Sequence, residues 1–249
     1  MIKTAIITGA TAGIGAATAE LFASKGWNII VTGRRKERLD ALCQRLKDTY
    51  SVDITPLCFD VRSFDACKKA LQNLGGVKID LLVNNAGLAA GKDPIQDGSI
   101  EHWERMIDTN IKGLLYVTKL LAPQMIENKK GHIINVGSLA GKEVYANGNV
   151  YCATKHAVDA LSRAMRIDLN PHTIKVTNIA PGLVETEFSI VRFDGDVDKA
   201  DATYQGFEPL LAQDIADCIW FAASRPAHVT IGDMLILPTA QANSTTVKK

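Results

Sequence analysis

No stretch of this chain approaches the ~18 consecutive apolar residues of a membrane-spanning helix. An excess of charge is lacking too. Lys and Arg number 28 against 27 for Asp and Glu, a net charge of +1, without the basic footprint of a nucleic-acid binder or a ligand of anionic membranes. Cysteine is sparse and unpatterned. Cys43, Cys58, Cys67, Cys152 and Cys218 form no C-x-x-C and no zinc-like spacing, so the expectation is reduced thiols, no metal site and a cytoplasmic protein. Cys152 adjoins Tyr151 and is read as packing. The opening MIKTAIITGA is not a signal peptide, because its apolar run is short and leads straight into a glycine turn. His132, His156 and His172 belong to no ligand cluster.

What the chain does have is alternation. Apolar, β-branched runs at Thr4–Thr8, Asn28–Thr32, Ile54–Phe59, Ile79–Val83, Gly131–Val136, Ile174–Ile179 and Met234–Leu237 predict strands. Helical patterns at Ala16–Ser24, Lys36–Tyr50, Phe64–Leu74, Ile100–Glu127, Val150–Asn170 and Asp214–Ala223 lie between them. This order predicts an α/β fold: one Rossmann-like, doubly wound parallel sheet of seven strands, ordered 3-2-1-4-5-6-7 with right-handed crossovers. One domain fills residues 1–249, with a dinucleotide-binding part over 1–137 and a catalytic and substrate part over 138–239. Segment 186–206 is polar and weakly periodic and reads as a lid, and the tail Ala240–Lys249 as loose.

Between the first strand and first helix lies Gly9-Ala-Thr11-Ala-Gly13-Ile14-Gly15. Gly9 permits a tight turn, Gly13 close approach of a pyrophosphate, and Gly15 close packing of helix on strand, with the helix N-terminus facing the phosphates. About twenty residues on, where a carboxylate would take the ribose 2′-hydroxyl of NAD, stand Arg34 and Arg35 instead. Planar guanidinium groups suit a 2′-phosphate, so the cofactor expected is NADP. The other reading is that both are solvated residues opening a helix. Asp60 and Val61 end the third strand; Asp60 either meets an adenine amino group or caps the next helix, and Val61 meets the adenine face. Asn84-Asn85-Ala86-Gly87 ends the fourth strand and suits a polar turn beside a ribose.

The stretch Gly137–Lys155 carries the chemistry. Ser138 follows a buried strand, and Tyr151 and Lys155 lie one turn apart on one helix face. A free tyrosine titrates near ~10 and is a poor base at neutral pH. A nearby cation favours the phenolate, but reaching ~7 requires roughly 4 kcal/mol, against about 1 kcal/mol from an exposed ion pair. Proton transfer by Tyr151 therefore requires a water-poor site and a second positive charge, such as an oxidised nicotinamide. By itself, Tyr-x-x-x-Lys is also a common surface pair. Asn110, deep in a helical pattern, has either a buried partner or an outward side chain.

Taken together, TGATAGIG at 8–15, NNAG at 84–87, Asn110, Ser138, YCATK at 151–155 and PGLVET at 181–186 resemble the short-chain dehydrogenase/reductase family. The resemblance implies Tyr151 as acid/base, Ser138 orienting the substrate oxygen, and Lys155 as a cation that also grips the nicotinamide ribose. It implies Asn110 holding a relay water, Thr186 touching the carboxamide, and Pro181, Gly182 and Val184 lining the cofactor site. The segments GRRKERL, NNAGLAAG, WERMIDTN, GNVY, EFSIVRFDGD and RPAHV are similar to the NADP-dependent 3-hydroxy acid dehydrogenases. That likeness implies a small hydroxy acid or carbonyl substrate and a homotetramer built on the Asn110 and Tyr151 helices, with apolar outer faces. The substrate of such an enzyme needs a partner for its carboxylate. Arg192 in the lid segment is the candidate, unless it pairs with Asp194 or Asp196. Two other readings compete. A reductase of 3-ketoacyl groups on an acidic carrier wants a basic entrance, whereas residues 186–206 hold only Arg192 and Lys199 against Glu187, Asp194, Asp196, Asp198 and Asp201. A catalytically silent NADP-binding sensor would lack Ser138, Tyr151 or Lys155, and all three are present.

Overall fold

Two adjacent isoleucines at the centre of the sheet set its layering: Ile6 packs into one hydrophobic cluster and Ile7 into the other, on opposite faces. The computed structural model describes residues 2–249. In chain order the elements are β1 (Thr4–Ile7), α1 (Gly13–Ser24), β2 (Asn28–Gly33), α2 (Lys36–Thr49), β3 (Ile54–Cys58), α3 (Phe64–Gln72) and β4 (Leu81–Asn84). Then come α4 (Ile100–Ile107), α5 (Leu114–Glu127), β5 (His132–Val136), α6 (Asn149–Leu169) and β6 (Lys175–Pro181). The last are β7 (Val184–Glu185), α7 (Glu187–Arg192), α8 (Val197–Ala202), β8 (Leu210–Leu211), α9 (Ala212–Ala223) and β9 (Asp233–Ile236).

Seven strands form one parallel sheet in the order β3-β2-β1-β4-β5-β6-β9, the predicted order with β9 as seventh strand. On one face Ile7, Val31, Val83 and Ile134 pack with Phe22 of α1, Leu39 and Leu46 of α2, and Ile219 of α9. On the other, Ile6, Leu82, Ile133 and Val176 pack with Val117 and Leu121 of α5 and Val158 and Met165 of α6. Phe22, Trp27 and Trp220 add edge-to-face contacts with ring centroids 5.1 to 6.2 Å apart. Pro56, which has no N–H to donate, sits on the edge strand β3.

Some expectations are refined and others corrected. The helical region expected over 100–127 is two α-helices joined by a π-helical turn, Asp108–Gly113. Such a turn inserts an extra residue, and here it buries Asn110. The lid segment is not irregular: α7 and α8 occupy it, each capped by its own side chain, Thr186 and Asp196. A parallel pair, β7 with β8, closes its base. The tail is not loose either. Gln241 is buried, accepts from the Leu183 amide at 2.9 Å, and bridges to Val247, while the Ser244 amide donates to Glu143 at 2.8 Å. The Gln241 side chain folds inward because it satisfies the Leu183 amide just past the end of β6.

Candidate active site

A cavity of about 820 Å³ opens at the carboxyl ends of β1–β6, where open α/β sheets bind ligands. Gly9, Thr11, Gly13, Ile14, Arg34, Arg35, Asp60, Val61, Asn85, Ala86 and Gly87 line it on one side. Ser138, Tyr151, Lys155, Pro181, Gly182, Val184, Thr186 and Arg192 line the other. Of the residues singled out from the sequence, Gly15 and Asn110 lie outside the lining.

Both exceptions have a packing reason. A Cβ on Gly15 would lie 2.5 Å from Asn85 Nδ2 and 2.6 Å from the Gly9 carbonyl, so its bare backbone lets the turn close. The Asn110 side chain is committed: Nδ2 donates to the Leu88 carbonyl at 2.8 Å and to Thr154 Oγ1 at 3.0 Å, and Oδ1 accepts from the Leu88 amide at 2.9 Å. It thus ties the turn after β4 to α6.

The glycine turn is built for a ligand. Gly9 has φ +67°, and a Cβ there would meet Ala86 Cα at 2.8 Å. Thr8 Oγ1 accepts from the amides of Asn85 and Ala86, each at 3.0 Å, and Asn85 Nδ2 donates back to the Thr8 carbonyl at 2.8 Å. Asn85 thus serves the turn with its side chain and faces the cavity beside it. The first turn of α1 has no side-chain cap, which leaves its N–H groups for an anion.

Arg35 donates to Thr11 Oγ1 at 2.8 Å and pairs with Glu187 at 2.9 Å, and Arg38 pairs with the same carboxylate at 2.5 Å. Arg34 reaches only to Asp60, at 3.7 Å. Asp60 is not the helix cap, since Ser63 caps α3. It pairs with Arg62 at 2.7 Å; burial would raise its pKa, but Arg62 and Arg34 hold it below the ordinary carboxylate range.

Tyr151, at 8% exposure, sits on the first turns of α6. Burial pushes its pKa up, Tyr145 adds to this, and the Ser138 hydroxyl and Arg192 pull it partly back. Lys155 Nζ lies 6.0 Å from the centroid of the Tyr151 ring and donates to the Val136 carbonyl at 2.9 Å. Burial without a carboxylate partner lowers its pKa to about 8. In the protein alone desolvation of the phenol dominates and the Tyr151 pKa stands above the ordinary tyrosine value; the second positive charge that the sequence reading requires would come with an oxidised nicotinamide. The site holds Tyr151 as a neutral phenol, the form that donates a proton.

Arg192 ends α7 over this phenol. Its guanidinium carbon is 5.6 Å from the Tyr151 ring and 5.5 Å from the Tyr145 ring, and Nη1 donates to Tyr145 Oη at 3.0 Å. The nearby acids are taken: Asp194 lies by His102 and Arg105, and Asp196 pairs with Lys199. Nε and Nη2 of Arg192 are buried and unpartnered. Phe188 packs at 5.7 Å on Tyr151.

Sequence reading missed Lys92, Tyr145, Phe188, Tyr204 and Gln241 in the lining. Phe188 lies two residues past the PGLVET motif, and Tyr145 lies inside the Ser138–Tyr151 stretch; for Lys92 the sequence carries no signal. Lys142, without an assigned role in the sequence, bridges Asp159 of α6 and Asp233 of β9 at 2.5 and 2.7 Å. His132 is buried, bonds Thr177 Oγ1 at 2.8 Å, and is lowered to about 3 by burial and by Lys175.

Comparison with known proteins agrees with this geometry. The family model of the short chain dehydrogenases matches residues 3–196. An NADP-dependent 3-hydroxy acid dehydrogenase of Salmonella typhi is 46% identical over 239 residues, 95% of this chain and 95% of that protein. A serine 3-dehydrogenase of Rhizobium radiobacter is 44% identical over 243 residues, 97% and 96% of the two chains. Among solved structures, the closed form of a serine dehydrogenase complexed with NADP+ matches with a TM-score of 0.93 and 44% identity over 99% of each chain.

Proposed function

The chain belongs to the short chain dehydrogenase family, and from that premise we propose that it moves a hydride between NADP(H) and C3 of a small 3-hydroxy acid. Serine, allo-threonine and 3-hydroxypropionate are such acids; the last gives malonic semialdehyde on oxidation. The observation that carries the reading is Arg192. Two of its nitrogens are buried without partners in the wall that also holds Ser138 and Tyr151. A half-buried guanidinium bonded only to Tyr145 and without a carboxylate is costly, and a substrate carboxylate is the group that would satisfy it.

The residues present fit NADP. The uncapped end of α1 and the turn at Gly9–Gly13 would hold its pyrophosphate, and Arg35, with Arg34 and Arg38 nearby, its 2′-phosphate. Asp60 and Val61 would flank the adenine, and Ala86, Gly87, Lys155, Pro181, Gly182, Val184 and Thr186 the nicotinamide half. When bound, the oxidised group supplies the hydride acceptor and a positive charge. Tyr151 holds the proton at Oη and gives it to the C3 oxygen in reduction, or takes it in oxidation. Ser138 hydrogen-bonds the same oxygen. Lys155 favours the phenolate when protonated, and the aromatic wall of Tyr145 and Phe188 keeps water from the proton. Asn110 acts by holding Leu88 and Thr154 in place. Segment 186–206 closes as a lid when a carboxylate binds Arg192.

The same reading places the protein in the cytoplasm, which its free cysteines suit. Among the described residues no helix is long and apolar enough to cross a membrane. It also makes the chain a homotetramer, for which the exposed Ile107, Leu115 and Ile167 on and between α4, α5 and α6 offer apolar surface. Steady-state oxidation of L-serine, L-allo-threonine and 3-hydroxypropionate with NADP and with NAD tests the activity. Turnover with NADP, reduced at least ~100-fold in Tyr151→Phe with NADP binding retained, is the expected result. Absence of turnover on every hydroxy acid would move the substrate to another carbonyl class.

A further inference from the structure

Lys92 lies in the loop after β4 and lines the substrate end of the cavity with Arg192. The loop is tied to α7 by a hydrogen bond from the Gly91 amide to the Arg192 carbonyl at 2.9 Å. Lys92 is an exposed residue at the rim of the cavity, yet partial desolvation and then the Arg192 charge lower its pKa, so the two cations feel each other. Neither is held by a carboxylate within ion-pair distance among the described residues, whereas Lys199 in the same wall is neutralised by Asp196. Among the described residues, the acidic side chains lining the cavity are Asp60 and Glu187, and both are engaged by arginines. Asp93, next to Lys92 in sequence, is absent from this lining; it borders a small adjoining pocket of about 10 Å³ that Arg192 and Tyr151 also line.

From this imbalance we propose that the cavity selects 3-hydroxy acids without an α-amino group over serine and allo-threonine, and that Lys92 is the residue that sets the preference. The inference rests on the 3-hydroxy acid reading and sharpens its substrate class. A 3-hydroxy acid brings one negative charge, at C1, to two unpaired cations. Serine brings the same carboxylate and, one bond away at C2, an ammonium. That ammonium meets like charge on Lys92 and Arg192 and no free acidic side chain in the wall. Like-charge juxtaposition in a partly dry site is a device of specificity more than of affinity. Lys92 would share the carboxylate with Arg192, as a mobile point charge beside a fixed guanidinium fork.

The test compares kcat/KM for 3-hydroxypropionate and L-serine, which differ by hydrogen against ammonium at C2, in the wild type and in Lys92→Met. Propane-1,3-diol, which has neither charge, controls for damage to the site. The wild type should favour 3-hydroxypropionate by at least about tenfold, and Lys92→Met should cut that ratio at least about fivefold, with diol oxidation unchanged. A wild type that uses serine as well as 3-hydroxypropionate, or a ratio that Lys92→Met leaves in place, overturns the selection and leaves the 3-hydroxy acid reading standing. No turnover of either acid, with NADP binding intact, overturns both.

Discussion

The two ends of the cavity handle charge in opposite ways. Under the glycine turn, charges come paired: Glu187 with Arg35 and Arg38, and Asp60 with Arg62. At the substrate end Arg192, Lys92 and Lys155 face the cavity without a carboxylate partner. A paired set can stand ready without its ligand at little cost, and a ligand phosphate then exchanges with a carboxylate already there. An unpaired cation that is buried, as Lys155 is and as Arg192 is in part, carries its desolvation penalty until something anionic arrives, whereas Lys92 is exposed. The second end is therefore the more informative about substrate, because what the fold leaves unsatisfied marks what it is built to receive.

Removing the costliest unpaired charge gives the largest expected effect. In Lys155→Met, kcat should fall at least about a thousandfold while the protein itself becomes more stable. The sign follows from the lowered pKa. Between about pH 8 and 10.5 the unfolded chain still holds the proton that the folded chain has released, so wild-type stability rises with pH across that window. Below pH 8 the full penalty applies, at most about 3 kcal/mol. Urea titrations at pH 7 and pH 10.5 should show the variant ahead of the wild type at pH 7 and the gap closing at pH 10.5. A variant less stable than wild type at pH 7 would contradict the picture of an uncompensated lysine.

The paired end responds to opening its network. Arg35→Ala should weaken NADP at least about tenfold by isothermal titration and leave NAD within about twofold, since only NADP brings a 2′-phosphate. Equal loss for both would remove Arg35 from phosphate recognition. A smaller effect of opposite sign is expected from Glu187→Gln. Freed of a half-exposed carboxylate, Arg35 and Arg38 should bind NADP up to about fivefold tighter, an advantage that falls with added salt.

The legible part of the molecule was the part with periodicity. Strands such as His132–Val136 and the helix around Tyr151 appear in the sequence as apolar runs and a 3.6-residue repeat, and they stand where expected. The π-helical turn at Asp108–Gly113 left no mark, because one inserted residue changes neither composition nor pattern. The strands β7 and β8 are two residues each, and α7 and α8 six each, too short for any period to declare itself. The tail reads as loose because it is polar; Gln241 is held inside by the Leu183 amide and the Ser244 amide is held by the Glu143 carboxylate, partners that lie far away in sequence. Among site residues, Ser138, Tyr151 and Lys155 could be named from spacing, whereas Lys92 is a lone lysine in a loop. Arg192 could be named only as one of two possibilities. That Asp194 lies by His102 and Arg105, and Asp196 by Lys199, leaving neither on Arg192, is visible only in the folded chain.

The central claim is that Arg192 receives a substrate carboxylate. The most direct measurement is kcat/KM with NADP for 3-hydroxypropionate and for its neutral isostere 3-hydroxypropionamide, in the wild type and in Arg192→Met. The account predicts that the wild type favours the acid by about 100-fold and that Arg192→Met brings the ratio within several-fold of one, by loss on the acid with the amide little changed. A wild type indifferent to the charge, or a preference for the acid that survives in Arg192→Met, would contradict it.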